Sequence, residues 1–249
     1  MIRNIIFDIG KVLVSYEPDA YMDRLGLDEK AKAAINQAMF QNKLWDESDQ
    51  GLGTPEEFLQ KFIAGAPEYA EEITKIHQTV GETVELMPYA MEWILDLKAR
   101  GYHVYIISNY AENMYNQTKD KLAFLPLMDD VVMSYTIKKM KPDAAIYNYL
   151  CDENWLEPEE SVFIDDRQEN VDGAEAVGIH GILFKDYESA KQELNKFLRD
   201  SNILSKIFPN KAVCARMTKY YKKCVTIQPP LEFDNQNRRA VLRMYEEGG

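Results

Sequence analysis

Five short apolar runs recur along the chain, and all but the last end on a polar residue that a buried strand does not need. They lie at residues 4–8, 103–108, 131–134, 161–165 and 181–184. Most are continuously apolar rather than alternating, as expected of strands covered on both faces of a parallel sheet. Helical patterns sit between them. One runs from Pro88 to Arg100, opening with proline and stopping before Gly101. Others are predicted over 111–124, 143–152 and 169–177, the last closed by Gly178, with a final helix over 187–199. Strand–helix–strand repetition of this kind predicts an α/β fold with a doubly wound, Rossmann-like parallel sheet and right-handed crossovers.

One stretch breaks the rhythm. Residues 15–86 contain no strand pattern and read as about four helices, far more than a simple crossover needs. Thr54-Pro55-Glu56-Glu57 is a capping box that opens an apolar stripe through Phe58, Leu59, Phe62 and Ile63, and Asp28 is placed to cap the run that follows it. The expected organisation is a core of residues 1–14 and 87–199 with an inserted all-helical cap domain at 15–86. The prolines in Tyr16-Glu17-Pro18 and Leu86-Met87-Pro88 stiffen its two connections. Residues 200–249 form a basic extension with one weak strand pattern, Cys224 to Gln228.

Charge narrows the partners. The chain carries a net charge of −12, and the excess acid lies before residue 200. Such a body repels phosphate backbones, so nucleic acid is not an expected partner, and an anionic substrate needs a local cation. No apolar run approaches the roughly 20 residues of a membrane span, so no membrane is expected. The N-terminus lacks a signal-peptide layout. Cys151, Cys214 and Cys224 are too few and scattered for a disulfide frame or zinc site. A cytoplasmic location is the expectation.

In a doubly wound sheet, ligands bind beyond the carboxyl ends of the strands. The first strand delivers Asp8 there, the second Ser108 and Asn109, and the fourth Asp165 and Asp166; Lys141 follows the third. Three carboxylates brought together repel one another unless a cation sits among them. Oxygen donors without histidine favour Mg²⁺. Ser108 and Asn109 offer a hydroxyl and a backbone N–H to an anion, and Lys141 a fixed countercharge. A carboxylate nucleophile, an anion cradle, a cation and a Mg²⁺ site make a phosphoryl-transfer kit. Singly, strand-end aspartates cap helices and most lysines are solvated; jointly, the chemical reading is stronger. His77, His103 and His180 do not cluster, and Trp45, Trp93 and Trp155 read as packing residues.

In order and spacing, these residues resemble the haloacid dehalogenase-like (HAD) superfamily. Phe7-Asp8-Ile9-Gly10-Lys11-Val12-Leu13 resembles its first motif, Ser108-Asn109 the second, Lys141-Pro142-Asp143 the third, and Phe163-Ile164-Asp165-Asp166 with Asn170 and Gly173 the fourth. The helical insert resembles a type-1 cap, and Trp45-Asp46-Glu47, Gly51 and Thr54-Pro55-Glu56-Glu57 are similar to segments of such caps. The resemblance implies that Asp8 is nucleophile and Mg²⁺ ligand, and that Gly10 gives a backbone carbonyl to the metal. It implies that Ser108 and Asn109 bind the phosphoryl group while Lys141 balances its charge. Asp166 would ligate Mg²⁺ directly, and Asp165 directly or through water.

One position departs. Most phosphatases of the superfamily carry a second aspartate two residues after the first as general acid/base, and here that position is Gly10. The chain resembles more closely a bacterial branch with a D-x-G-x-V-L motif that includes a sugar-1-phosphate phosphatase. The expected function is Mg²⁺-dependent hydrolysis of a small phosphorylated metabolite, such as a sugar phosphate, through an aspartyl-phosphate. A cap residue such as Asp46, or a solvent chain, would then activate water. The alternatives are a catalytically impaired protein that binds a phosphate ligand or partner, a haloacid dehalogenase, and, below these, a phosphomutase.

Overall fold

The computed structural model describes residues 1–198. The 200–249 extension, with its Cys224–Gln228 pattern, lies outside the described residues. All five predicted strands form: β1 (Asn4–Phe7), β2 (His103–Ser108), β3 (Asp130–Met133), β4 (Ser161–Asp165) and β5 (His180–Leu183). They make one parallel sheet in the order β3-β2-β1-β4-β5. Winding reverses about the central β1, so the crevice beyond its end, between β2 and β4, is the place where such sheets bind ligands.

Register brings the polar ends together. Phe7 lies opposite both Ile106 and Ile164. Asp8 and Asp165 therefore follow paired residues directly, and Ser108 lies two residues beyond its paired neighbour. Alternate side chains of the strands enter two cores. Phe7 and Ile164 pack with Trp93, Ile94 and Leu97 on one face, and Ile6, Ile107 and Phe163 with Ile146, Tyr147 and Leu150 on the other. This two-sided burial is why the strands read as continuous apolar runs.

The insert is all helical and holds five α-helices rather than about four: α1 (Pro18–Arg24), α2 (Glu29–Ala38), α3 (Lys43–Asp49), α4 (Pro55–Gly65) and α5 (Ala70–Gln78). Asp28 caps α2 and the Thr54 capping box closes on α4, as their sequence signatures predict. The helices share a core of their own that includes Met22, Ile35, Phe58, Phe62, Ile73 and Ile76. The outgoing and returning connections run side by side: Val14 bridges Leu86, the Ser15 N–H donates to the Glu85 carbonyl at 2.8 Å, and the Glu17 N–H donates to the Thr83 carbonyl at 2.9 Å. Pro18 is the first residue of α1 rather than an extended spacer.

The remaining helices are α6 (Ala90–Ala99), α7 (Glu112–Thr118), α8 (Ser134–Ile137), α9 (Ala144–Asn154), α10 (Gln168–Glu175) and α11 (Tyr187–Phe197). Two of them differ from the sequence prediction. α7 stops at Thr118, whose hydroxyl turns back onto the Met114 carbonyl at 2.8 Å and meets the Tyr110 hydroxyl. Ser134 does not extend β3; the chain coils there into the single turn of α8, and the Thr136 hydroxyl bonds the Met133 carbonyl at 2.8 Å.

Candidate active site

After β1 the chain turns tightly: Leu13 and Val14 return their N–H groups to the Ile9 carbonyl at 2.9 and 3.0 Å, and Lys11 takes a left-handed φ of 57°. The turn leaves Asp8 at the sheet edge, only 7% exposed. Asp8 Oδ1 accepts from the Ser108 hydroxyl at 2.7 Å and from Lys141 Nζ at 2.7 Å. Lys141 Nζ also donates to Asp165 Oδ2 at 2.6 Å. Lys141, 2% exposed, thus bridges with its ammonium two carboxylates from neighbouring strands.

Electrostatics follow from this burial. Desolvation pushes the Asp8 carboxyl up, Lys141 pulls it back and Asp165 adds to the rise, leaving it at about 6. At neutral pH Asp8 is mainly ionised. Burial alone would lower the Lys141 ammonium, but Asp8 and Asp165 outweigh it and hold the amine above its ordinary value, charged. Asp166, partly exposed at the cavity edge, is raised by burial and by Asp165.

Other side chains hold these in place. Asp165 has no exposed surface; Asn170 Nδ2 reaches both its oxygens at 3.0 and 3.1 Å, and the Arg167 backbone N–H donates to Oδ1 at 2.8 Å. Asn109 spends its amide on the Lys141 backbone, accepting from the Lys141 N–H at 2.8 Å and donating to its carbonyl at 3.0 Å. The backbone N–H of Asn109 is left for an anion. Gly173 allows α10 to press on the Lys141–Pro142 segment, since a Cβ there would lie 2.5 Å from the Pro142 carbonyl oxygen.

The donor chemistry suits a hard divalent cation. Asp8, Asp165 and Asp166 each offer an oxygen, all within 4.8 Å of one another. Asp8 and Asp166 are the freer pair, because Asp165 already serves Lys141, Asn170 and Arg167. Gly10 lies in the same cavity wall.

These residues open onto a cavity of about 550 Å³, within the range of small-molecule sites. Its far wall comes from the helical insert. Tyr16, Phe40 and Trp45 form an aromatic face, with ring centroids 6.5 Å apart for Tyr16–Phe40 and 4.9 Å for Phe40–Trp45. Trp45, expected to be a packing residue, thus both packs and lines. Arg167 lines the cavity and also pairs with Glu169.

A residue not foreseen is Asp49, at the end of α3. It lines the cavity with Asp8, as does the expected Asp46 one turn earlier. Burial, then the charges of Asp46 and Asp8, push its carboxyl to about 8, against the pull of the Ala111 backbone N–H and Arg167. Tyr16 and Tyr110 also face it. The Asp46–Asp49 spacing, one helical turn on one face, was the available signal.

Comparison with known proteins agrees with this geometry. The family model of haloacid dehalogenase-like hydrolases matches residues 2–178, so the chain belongs to that family and is a hydrolase. It is 25% identical over 209 residues to a D-ribitol-5-phosphate phosphatase of Bacteroides thetaiotaomicron, covering 80% of this chain and 99% of that one. The fold is similar to a predicted HAD-like family hydrolase from Porphyromonas gingivalis, with a TM-score of 0.64 and 22% identity over 81% of this chain and all of that one. It is similar also to a HAD family enzyme from Bacteroides thetaiotaomicron in complex with magnesium and inorganic phosphate, with a TM-score of 0.58 and 20% identity over 76% and 98% of the two chains.

Proposed function

We propose that this hydrolase is a Mg²⁺-dependent phosphatase of a small phosphorylated metabolite, working through an aspartyl-phosphate on Asp8. The observation that carries the reading is the buried carboxylate at the end of β1. It is gripped on one oxygen by Ser108 and Lys141 and set at the edge of a cavity of about 550 Å³. A phosphomonoester bound there meets the Ser108 hydroxyl, the Asn109 backbone N–H and the Lys141 ammonium, which hold its oxygens and neutralise charge as the bond to the leaving group lengthens. Asp8 attacks the phosphorus, and water then releases the phosphate.

Asp8, Asp166 and the Gly10 carbonyl are the ligands we assign to Mg²⁺, with Asp165 acting through water or by orienting Lys141. The bound ion supplies charge neutralisation for the phosphoryl oxygens and for Asp8. The helical insert roofs the site as a cap and selects the leaving group by its aromatic face and polar neighbours. The named ribitol phosphate activity of one relative favours a polyol or sugar phosphate as substrate class.

Gly10 favours a second reading, a protein that binds phosphorylated ligands without turnover. One experiment separates the two: a panel of phosphomonoesters assayed for phosphate release with Mg²⁺ and with chelator, on wild type and Asp8→Asn side by side. Release that needs both Mg²⁺ and Asp8 supports the phosphatase. Silence across the panel, with ligand binding retained, supports the second reading.

A further inference from the structure

We propose that Asp49 is the acid–base catalyst of this hydrolysis, taking from the cap the part that glycine leaves empty at position 10. The inference rests on the phosphatase reading and adds a residue to it. Position 10 carries no side chain, and a Cβ built there meets nothing within 4 Å. The wall of the cavity beside Asp8 is therefore vacant where an acid would stand. Asp49 shares that cavity with Asp8, Lys141 and Asp166, on the wall contributed by the insert.

Its position is fastened. The Ser134 hydroxyl donates to the Asp49 carbonyl and accepts from the Tyr110 N–H at 2.9 Å, tying the end of α3 to the segments after β2 and β3. Gln50 Nε2 donates to the Lys138 carbonyl at 3.1 Å. Gly51, at φ 70°, presses so close that a Cβ would sit 2.6 Å from the Tyr135 carbonyl oxygen. Three successive residues thus dock the helix end on the core, and this docking is what carries a cap carboxyl to the site. Asp46 has no such anchorage and is exposed. With its carboxyl pushed to about 8, Asp49 is mainly protonated at neutral pH, so the proton is in place before substrate arrives.

The proton count closes. As Asp8 attacks phosphorus, the ester P–O bond breaks and its electron pair takes the proton of the Asp49 carboxyl, releasing the alcohol. The Asp49 carboxylate then takes a proton from water as the water oxygen attacks the aspartyl-phosphate. The P–O bond to Asp8 breaks, phosphate leaves, and both aspartates return to their starting forms with one water consumed.

The test uses the full chain as wild type, Asp49→Asn, Gly10→Asp and the double variant, with an alkyl phosphate and p-nitrophenyl phosphate as probes. Asp49→Asn is expected to lower kcat on the alkyl phosphate by about 10²–10⁴-fold. With p-nitrophenyl phosphate, whose leaving group departs unprotonated, it is expected to give a stoichiometric burst of nitrophenolate and then slow turnover. Gly10→Asp should recover about tenfold or more of the loss in the Asp49→Asn background, because it restores an acid of the same kind. A merely structural role for Asp49 yields neither burst nor rescue. Asp49→Asn activity within about fivefold of wild type, without a burst, overturns the inference.

Wild type alone supplies a second measurement should the variant fold poorly. Its kcat/KM should vary shallowly with leaving-group pKa, and a steep fall overturns the inference. A wild type silent on every phosphate overturns the phosphatase reading beneath it instead.

Discussion

Replacing Lys141 by methionine removes one ammonium and leaves two buried carboxylates facing each other. Its Nζ lies 2.7 Å from Asp8 Oδ1 and 2.6 Å from Asp165 Oδ2, and all three residues are buried. Methionine fills nearly the same volume, so the loss is electrostatic rather than a cavity. Breaking a buried ion pair by removing one partner costs about 3–5 kcal/mol. The Ser108 and Asn170 hydrogen bonds to the stranded carboxylates survive, which favours the lower end. For a domain of this size, that corresponds to a fall in melting temperature of about 6–20 °C. The sign with pH is set by Asp8. Without the lysine its folded pKa, already raised, rises further above the unfolded one, so the penalty is full at neutral pH and fades as pH falls through the raised value. Urea unfolding followed by circular dichroism, from neutral pH downward, reads both effects, and Lys141→Met/Asp165→Asn should recover much of the loss. A cost below about 1 kcal/mol at neutral pH, or a gap that widens on acidification, would refute the reasoning.

Further outcomes follow from neighbouring residues. Asp8→Asn without Mg²⁺ should be more stable than wild type at neutral pH by about 1–3 kcal/mol, because Asp8 is raised to about 6 when folded, so between about pH 4 and pH 6 the unfolded chain gives up a proton that the folded one keeps. The advantage should vanish below the unfolded pKa of about 4, as thermal melts across pH will show. Mg²⁺ at about 100 times its Kd should stabilise wild type by about 2.7 kcal/mol and leave Asp166→Asn nearly unmoved, read by calorimetry. Gly173→Ala should cost about 1–3 kcal/mol and lower turnover more than stability explains, since the new methyl drives α10 off Pro142 and shifts Lys141; unfolding and steady-state kinetics on one preparation separate the two.

Much of the site was legible in the chain. Continuous apolar runs announce strands covered on both faces, and polar residues at or after the ends of all but the last announce a shared crevice, where Asp8, Ser108, Lys141, Asp165 and Asp166 meet. The division of labour among them was not. Asp165 and Asp166 are neighbours of one type, and only the packing of Asn170, Lys141 and the Arg167 N–H shows that the first is committed to orientation while the second faces the cavity. The Asn109 side-chain amide turns to the Lys141 backbone, a contact between loops 32 residues apart with no local signature. Helix phase alone puts Asp46 and Asp49, one turn apart, on one face; the docking through Ser134 and Gly51 distinguishes them. The single turn at Ser134 was invisible for the same reason, since its hydroxyl is claimed by the insert and by the Tyr110 N–H.

The account turns on a covalent bond between phosphorus and Asp8. Acid quench during turnover of a phosphomonoester with Mg²⁺, followed by mass spectrometry of the peptide carrying residue 8, tests it directly. The account predicts one phosphoryl adduct on that peptide, absent in Asp8→Asn and absent with chelator. Turnover that proceeds with residue 8 unmodified, or that persists in Asp8→Asn, would contradict it.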